Sequence, residues 1–307
     1  GLTIRARTNG YEQFAAHDQK LSIQWGKDLS NGTNISVYFD RYDRDRIRAI
    51  EDPKWANGDL RRFLPSPTEG GLGEFNDTTW RNQSASSQWA QFYEGSNIFS
   101  MYRAADSNCT SNSSTNLYNI PGADHMCLYD SSSIRDENRV SYGQYMDKRG
   151  ELERNNLYIY INRELDSGVE AYTEIGFYTS EINRVLYPGT VLGSGSATKN
   201  GGGTQPFVIP STNYWLNQLV RPNGDKFVDE EGDLLYARYF RFQTPRGYDS
   251  KRETWRFVQG WTGSRGDWDW DTALVLSKAT SEMDNFGRVD MNALDAALAD
   301  STSSAFN

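Results

Sequence analysis

The sequence predicts an all-β fold: an antiparallel transmembrane β-barrel segment with about seven spanning strands and long extracellular loops. Three observations predict it. Apolar residues recur with period two rather than 3.6. Tight turns alternate with very long polar connections. The composition is polar yet aromatic: of 307 residues only 37% are hydrophobic, but 13% are aromatic, with 18 Tyr and 9 Trp, and mean hydropathy is −0.74. Strands with one apolar face and a polar interior produce that mixture, because half of every strand stays polar.

In chain order, "LTIRAR" places Leu2, Ile4 and Ala6 on one face. "KLSIQWGKD" alternates Leu21, Ile23 and Trp25 with Ser22 and Gln24, and "NISVYFDRY" alternates Ile35, Val37 and Phe39 with Ser36, Tyr38 and Asp40. Between the last two, "DLSNGT" carries the Asn-Gly signal of a tight hairpin. A second hairpin spans 155 to 180. Leu157, Ile159 and Ile161 precede "DSG", and Val169, Ala171, Thr173, Ile175 and Phe177 follow it. The third runs through "TWRFVQGWTG", "SRG" and "DWDWDTALVLS". Trp268, Trp270, Thr272, Leu274 and Leu276 oppose Asp267, Asp269, Asp271, Ala273 and Ser277, with Val275 as an apolar exception.

The other connections, about 44–154 and 181–253, are polar and rich in Gly, Ser and Asn. Loops of that length carry function in compact domains. Two strand-like stretches, 138–146 and 235–243, are expected inside these loops, above the membrane. Arg238 and Arg241 fall on opposite faces of the second, and spanning would put one of them into lipid. One helix is expected in "VDMNALDAALAD", with Asp290 as N-cap and Met291, Leu294 and Leu298 on one face.

The net charge of −9 argues against nucleic-acid binding. No apolar run is long enough for a transmembrane helix. Cys109 and Cys127 share one Ser/Asn-rich loop, which suggests a disulfide and an oxidising compartment, two unrelated free thiols being the alternative. With His17 and His125 as the only histidines and no CxxC, no metal is expected. Asp267, Asp269 and Asp271 resemble the start of an EF-hand loop. Thr272 stands where that loop needs Gly, however, and Lys278 where it needs Glu. On a strand the three would spread over ~13 Å. Glu170 and Glu174 could suggest a glycosidase pair, but nothing in the sequence makes them converge. The glycine runs at 70–74 and 201–204 lack the Lys-Ser/Thr of a P-loop. No catalytic residue and no cofactor is expected.

The functional lead is aromatic. Trp55, Trp80, Trp89, Tyr214 and Trp215 fall in predicted loops, with Arg238 and Arg241 as loop cations. Such groups suit planar or sugar ligands; they would equally serve to pack loops against one another.

The segment "RETWRFVQGWTGSRGDWDWDTALVLSKATSEMDNFGRVDMNALDAALAD" resembles the barrel of a TonB-dependent outer-membrane receptor. The resemblance rests on Arg256, Gly260, Trp268, Asp269 and Trp270, then the helical stretch from Asn292 to Ala299. "SVYFDRYDRDRIRAIEDPKWANGDLR" is similar to the strand-to-loop passage of those receptors, and the Cys109–Cys127 loop resembles their disulfide-bearing loops. The resemblance implies uptake of a scarce ligand (an iron chelate, a cobalamin-like molecule or a saccharide) in the outer membrane of a Gram-negative bacterium. The TonB complex would supply energy through regions outside this chain. It also implies a 22-stranded barrel with an N-terminal plug, of which residues 1–307 would be a partial barrel, an internal fragment lacking plug, TonB box and terminal strand. Trp268 and Trp270 would then meet the lipid headgroups and Leu274 and Leu276 the hydrocarbon. A secreted all-β carbohydrate-active or carbohydrate-binding protein and a passive porin are the competing expectations.

Overall fold

The computed structural model describes residues 1–63, 80–86, 91–94, 97–103, 117–119, 126–130, 139–190, 198–199, 203–204, 208–220, 224–226, 235–238 and 241–305. The chain divides into two compact units. One comprises 1–55, 145–186 and 247–286, the other 56–144, 187–246 and 287–307.

The first unit is a seven-stranded sheet: β1 (Leu2–Tyr11), β2 (Phe14–Asp28), β3 (Thr33–Arg44), β4 (Glu151–Glu164), β5 (Glu170–Leu186), β6 (Arg246–Arg265) and β7 (Trp268–Phe286). Neighbours in sequence are neighbours in the sheet, which is antiparallel. The three expected turns each hold a glycine at positive φ: Gly32 (76°), Gly168 (74°) and Gly266 (64°). Side chains with a Cβ resist that conformation, which fixes the turn chemistry.

The strands run past their expected ends. β4 begins at Glu151, β5 continues to Leu186 and β6 begins at Arg246. These extensions lack an apolar face, so period two does not reveal them. β1 also joins β2 through a short turn at 12–13, at the end where the other connections are long. Below those extensions a two-stranded ladder pairs Ile47–Arg48 with Asp147–Arg149. Asp147, almost fully buried, accepts the Val185 amide at 2.7 Å and lies 3.5 Å from Arg46 Nε.

The second unit has a six-stranded sheet in the order Val208–Ile209, Leu235–Arg238, Gln91–Glu94, Asn97–Arg103, Met126–Asp130, Leu117–Asn119. Buried Leu128, Leu216 and Leu219 gather Phe92, Met101 and Ile209, and Leu294 with Leu298 gathers Phe242, Val289 and Met291. The helix α3 (Met291–Ala299) forms where expected: the Asp290 carboxylate accepts from the amides of Asn292 and Ala293. Of the two loop strands expected, 235–243 is a strand over Leu235–Arg238, with an isolated bridge from Arg241 to Thr190. The stretch 138–146 is corrected: it offers one bridge, Val140 to Ser84, followed by a 3-10 turn at Tyr142–Gln144. Its aliphatic and thioether residues, Val140 and Met146, stand six positions apart and give no continuous face to bury.

Candidate functional site

Register decides what the seven strands present. Ile23 stands opposite Phe39, Phe39 opposite Leu157, and Leu157 opposite Phe177. The side-chain contacts Thr173–Gln259, Lys251–Glu181 and Asn183–Asp249 carry the same register from β5 to β6, so Phe177 faces Trp255. β6 then sets Phe257 against Leu276 and Gln259 against Leu274. The apolar sets of all seven strands therefore share one face, because cross-strand partners point the same way.

That face is uncovered. Leu2, Ile4, Leu21, Trp25, Ile175, Phe177, Trp255 and Trp261 are exposed, as are the expected lipid-facing residues: Trp268 at 79%, Trp270 at 38%, Leu274 at 57% and Leu276 at 49%. Two polar residues inside the band satisfy each other. Thr173 Oγ1 donates to Gln259 Oε1 at 2.7 Å, and Gln259 Nε2 donates to the Tyr172 carbonyl at 3.0 Å. Beyond the band the face turns ionic toward the long connections, where Arg41 meets Asp43 (2.9 Å) and Glu153 (3.2 Å), and Lys251 meets Glu181 (2.9 Å).

The opposite face is polar and rich in tyrosine. Tyr38, Tyr158 and Tyr160 line an open groove of about 410 Å³ with Gln24, Ser36 and Val37. Gln24 and Tyr38 also line a neighbouring groove of about 680 Å³ that holds Arg5, Arg7 and Lys20. Tyr172 lies over Gly260, where an added Cβ would fall 2.1 Å from the ring; only glycine admits the ring there. Four of the five acids that raised a catalytic or calcium question are spoken for separately. Arg256 holds Glu174 at 2.8 Å, Asn162 donates to Glu170 at 2.7 Å, Tyr172 donates to Asp271 at 3.3 Å, and Ser264 donates to Asp269 at 2.5 Å. Among the described residues no group of three or more acidic, His or Cys side chains could hold a metal.

The loop residues expected to bind ligand divide between the units. Trp55 belongs to the first, on the four-residue helix α1 (Pro53–Ala56), with the Lys148 ammonium 5.2 Å from its ring. Lys148 also pairs with Asp52 at 2.9 Å, which holds that carboxyl below its usual range. Trp80, exposed, belongs to the second unit. Tyr214 and Trp215 open the helix α2 (Tyr214–Gln218) and meet edge to face at 5.0 Å, and Trp215 Nε1 donates to the Ala305 carbonyl at 3.1 Å. The sequence signal for α2 was Asn213, whose side chain caps Leu216 N.

Arg241 is corrected from a ligand-facing cation to a buried one. It is 4% exposed, flanked by the Tyr142 and Tyr187 rings at 5.2 and 5.4 Å, and donates to the carbonyls of Ser86 and Pro188. Trp89, Cys109 and the Arg238 side chain lie outside the described residues, while Cys127 is fully buried. The tyrosine grooves, built from strand rather than loop residues, were not among the expected sites. Their signal was tyrosine recurring at the polar positions of alternating strands. No protein-family model, curated protein or solved structure matches the chain.

Proposed function

We propose that residues 1–307 form part of the transmembrane β-barrel of an outer-membrane receptor of the TonB-dependent kind, importing a scarce small-molecule or oligosaccharide ligand and performing no catalysis. One observation carries the barrel reading: an apolar face continuous across all seven strands, exposed on β1, β2, β5, β6 and β7 and half-buried on β3 and β4. A water-soluble sheet buries such a face, and an uncovered one of this extent marks a lipid or protein contact.

The slant of the band supports lipid. Following paired residues from Ile23, the middle of the β2 run, leads to Lys278 on β7. The middle of the β7 run is Thr272, six residues nearer the turn. That is about one residue of stagger per strand. With ~3.3 Å along a strand and ~4.8 Å between strands, it corresponds to strands inclined by roughly 35–40° to the band, the tilt that barrel strands adopt in a bilayer.

The receptor assignment, the Gram-negative outer membrane and TonB coupling rest on the resemblance of the 252–300 segment and its Arg256, Gly260, Trp268, Asp269 and Trp270. A bridge between Cys109 and Cys127 belongs to the same proposal, and non-reducing thiol alkylation should find neither sulfur reactive. The decisive experiment is fractionation of the whole protein from cells. The reading expects it in the outer-membrane fraction, resistant to carbonate extraction. Recovery in the soluble fraction would overturn it and favour a secreted all-β protein. Ligand uptake that persists after the membrane potential is collapsed would favour a passive porin.

A further inference from the structure

β2, β4 and β6 each run into one of the three glycine turns, and each ends its apolar face the same way. The last apolar-face position is Lys27 on β2, Arg163 on β4 and Arg265 on β6. Their cross-strand partners, Ile35 for Lys27, Thr33 and Ala171 for Arg163, and Trp268 for Arg265, place all three on the uncovered face. All three are exposed, and no ion pair holds any of them among the described residues. The acids that adjoin two of them in sequence, Asp28 and Glu164, fall on the opposite face by strand alternation.

The three cations also descend with the band. Along paired rows Arg163 lies two residues nearer the turns than Lys27, and Arg265 four nearer than Arg163. Six residues over these four strand steps is close to the six over five of the apolar residues themselves, so the cations hold one depth to within about two residues. Trp25, Trp261, Trp268 and Trp270 stand on the same face beside them. The opposite rim differs: there Arg41 and Lys251 are tied to Asp43, Glu153 and Glu181.

We infer that Lys27, Arg163 and Arg265 form a belt that binds the phosphates of anionic phospholipids at the short-turn rim. The inference rests on the barrel reading above. Unpaired cations at an interface are drawn to anionic headgroups, and tryptophan rings settle at the same level. At the opposite rim Arg41 and Lys251 are already paired with carboxylates, and Lys278 alone stands on that face without an ion pair among the described residues, so the attraction there is weaker.

The test reconstitutes the whole protein in vesicles of phosphatidylcholine with phosphatidylglycerol mixed in, and measures which lipid stays in the boundary shell by spin-labelled lipid exchange. The wild type should enrich phosphatidylglycerol several-fold over phosphatidylcholine. Lys27→Gln/Arg163→Gln/Arg265→Gln should abolish that preference, while Arg41→Gln/Lys251→Gln, at the other rim, should keep it. High salt should weaken the preference as phosphate contacts are screened. Insertion with no preference, or a preference that survives the triple substitution, overturns the belt and leaves the barrel reading standing. Failure to insert into any vesicle overturns the barrel reading, and the belt with it.

Discussion

The two units of this chain bury their apolar residues in opposite senses. In the second unit Leu128, Leu216, Leu219, Leu294 and Leu298 are all at or below 7% exposure. In the first unit the large apolar side chains are the exposed ones. Its few buried apolar residues, Ala16, Ile47, Ala49 and Val258, are small or sit where strands meet the longer connections. One chain therefore holds a water-facing core and an inside-out sheet. Composition averaged over 307 residues hides both. The difference teaches that burial follows each unit's own fold rather than the chain's average, and substitutions should separate the two.

The largest expected effect lies in the water-facing unit. Leu216→Ala removes a buried side chain from a small cluster and should cost about 2–5 kcal/mol. Hydrogen exchange should register this as opening of the second unit, with the seven-stranded sheet still protected. Next comes the inside-out sheet. Leu274→Arg should cost about 2–4 kcal/mol in lipid, read from urea-dependent folding into vesicles, while Asp271→Asn on the polar face should cost far less. Equal costs would erase the distinction between the faces.

Gly260→Val tests the sheet without changing its solvent. The new Cβ would fall within 2.1 Å of the Tyr172 ring, so the ring must leave, at a cost of about 1–3 kcal/mol. Gly260→Val in a Tyr172→Ala background should recover much of that loss. The smallest effect is a titration. Arg61 holds the Asp59 carboxyl below its ordinary 3.8, at about 2. A depressed carboxyl stabilises the fold above its unfolded value, and that contribution disappears as pH falls through the folded one. Asp59→Asn should thus cost about a few tenths of a kcal/mol near neutrality, given the part-exposed, solvent-screened setting, and nothing once pH falls well below 2.

The sheet was legible because period two is a local signal. Leu21, Ile23 and Trp25 announce their face without knowing their neighbours. The three turns were legible because Gly32, Gly168 and Gly266 must take positive φ. What escaped was whatever depends on distant partners. The ionic ends of β4, β5 and β6 carry no apolar rhythm, and pairing alone makes them strands. Arg241 looked like a loop cation because sequence cannot reveal that Tyr142 and Tyr187 close around it. The candidate site was half legible. Trp268, Trp270, Leu274 and Leu276 were read from alternation, whereas the grooves that unite Gln24, Tyr38, Tyr158 and Tyr160 need the register of three strands. The cation belt needs more still, since its common depth emerges only when the band is followed from β2 to β6.

The central claim is that the uncovered face meets hydrocarbon, and β7 offers the most direct measurement. Nitroxide labels placed singly from 272 to 277 in the reconstituted protein report collision with oxygen, which concentrates in lipid, and with a water-soluble nickel complex. The account predicts strict alternation: labels at Leu274 and Leu276 favour oxygen, and those at Ala273, Val275 and Ser277 favour nickel. Nickel access at every position, or oxygen access that ignores the alternation, would contradict it.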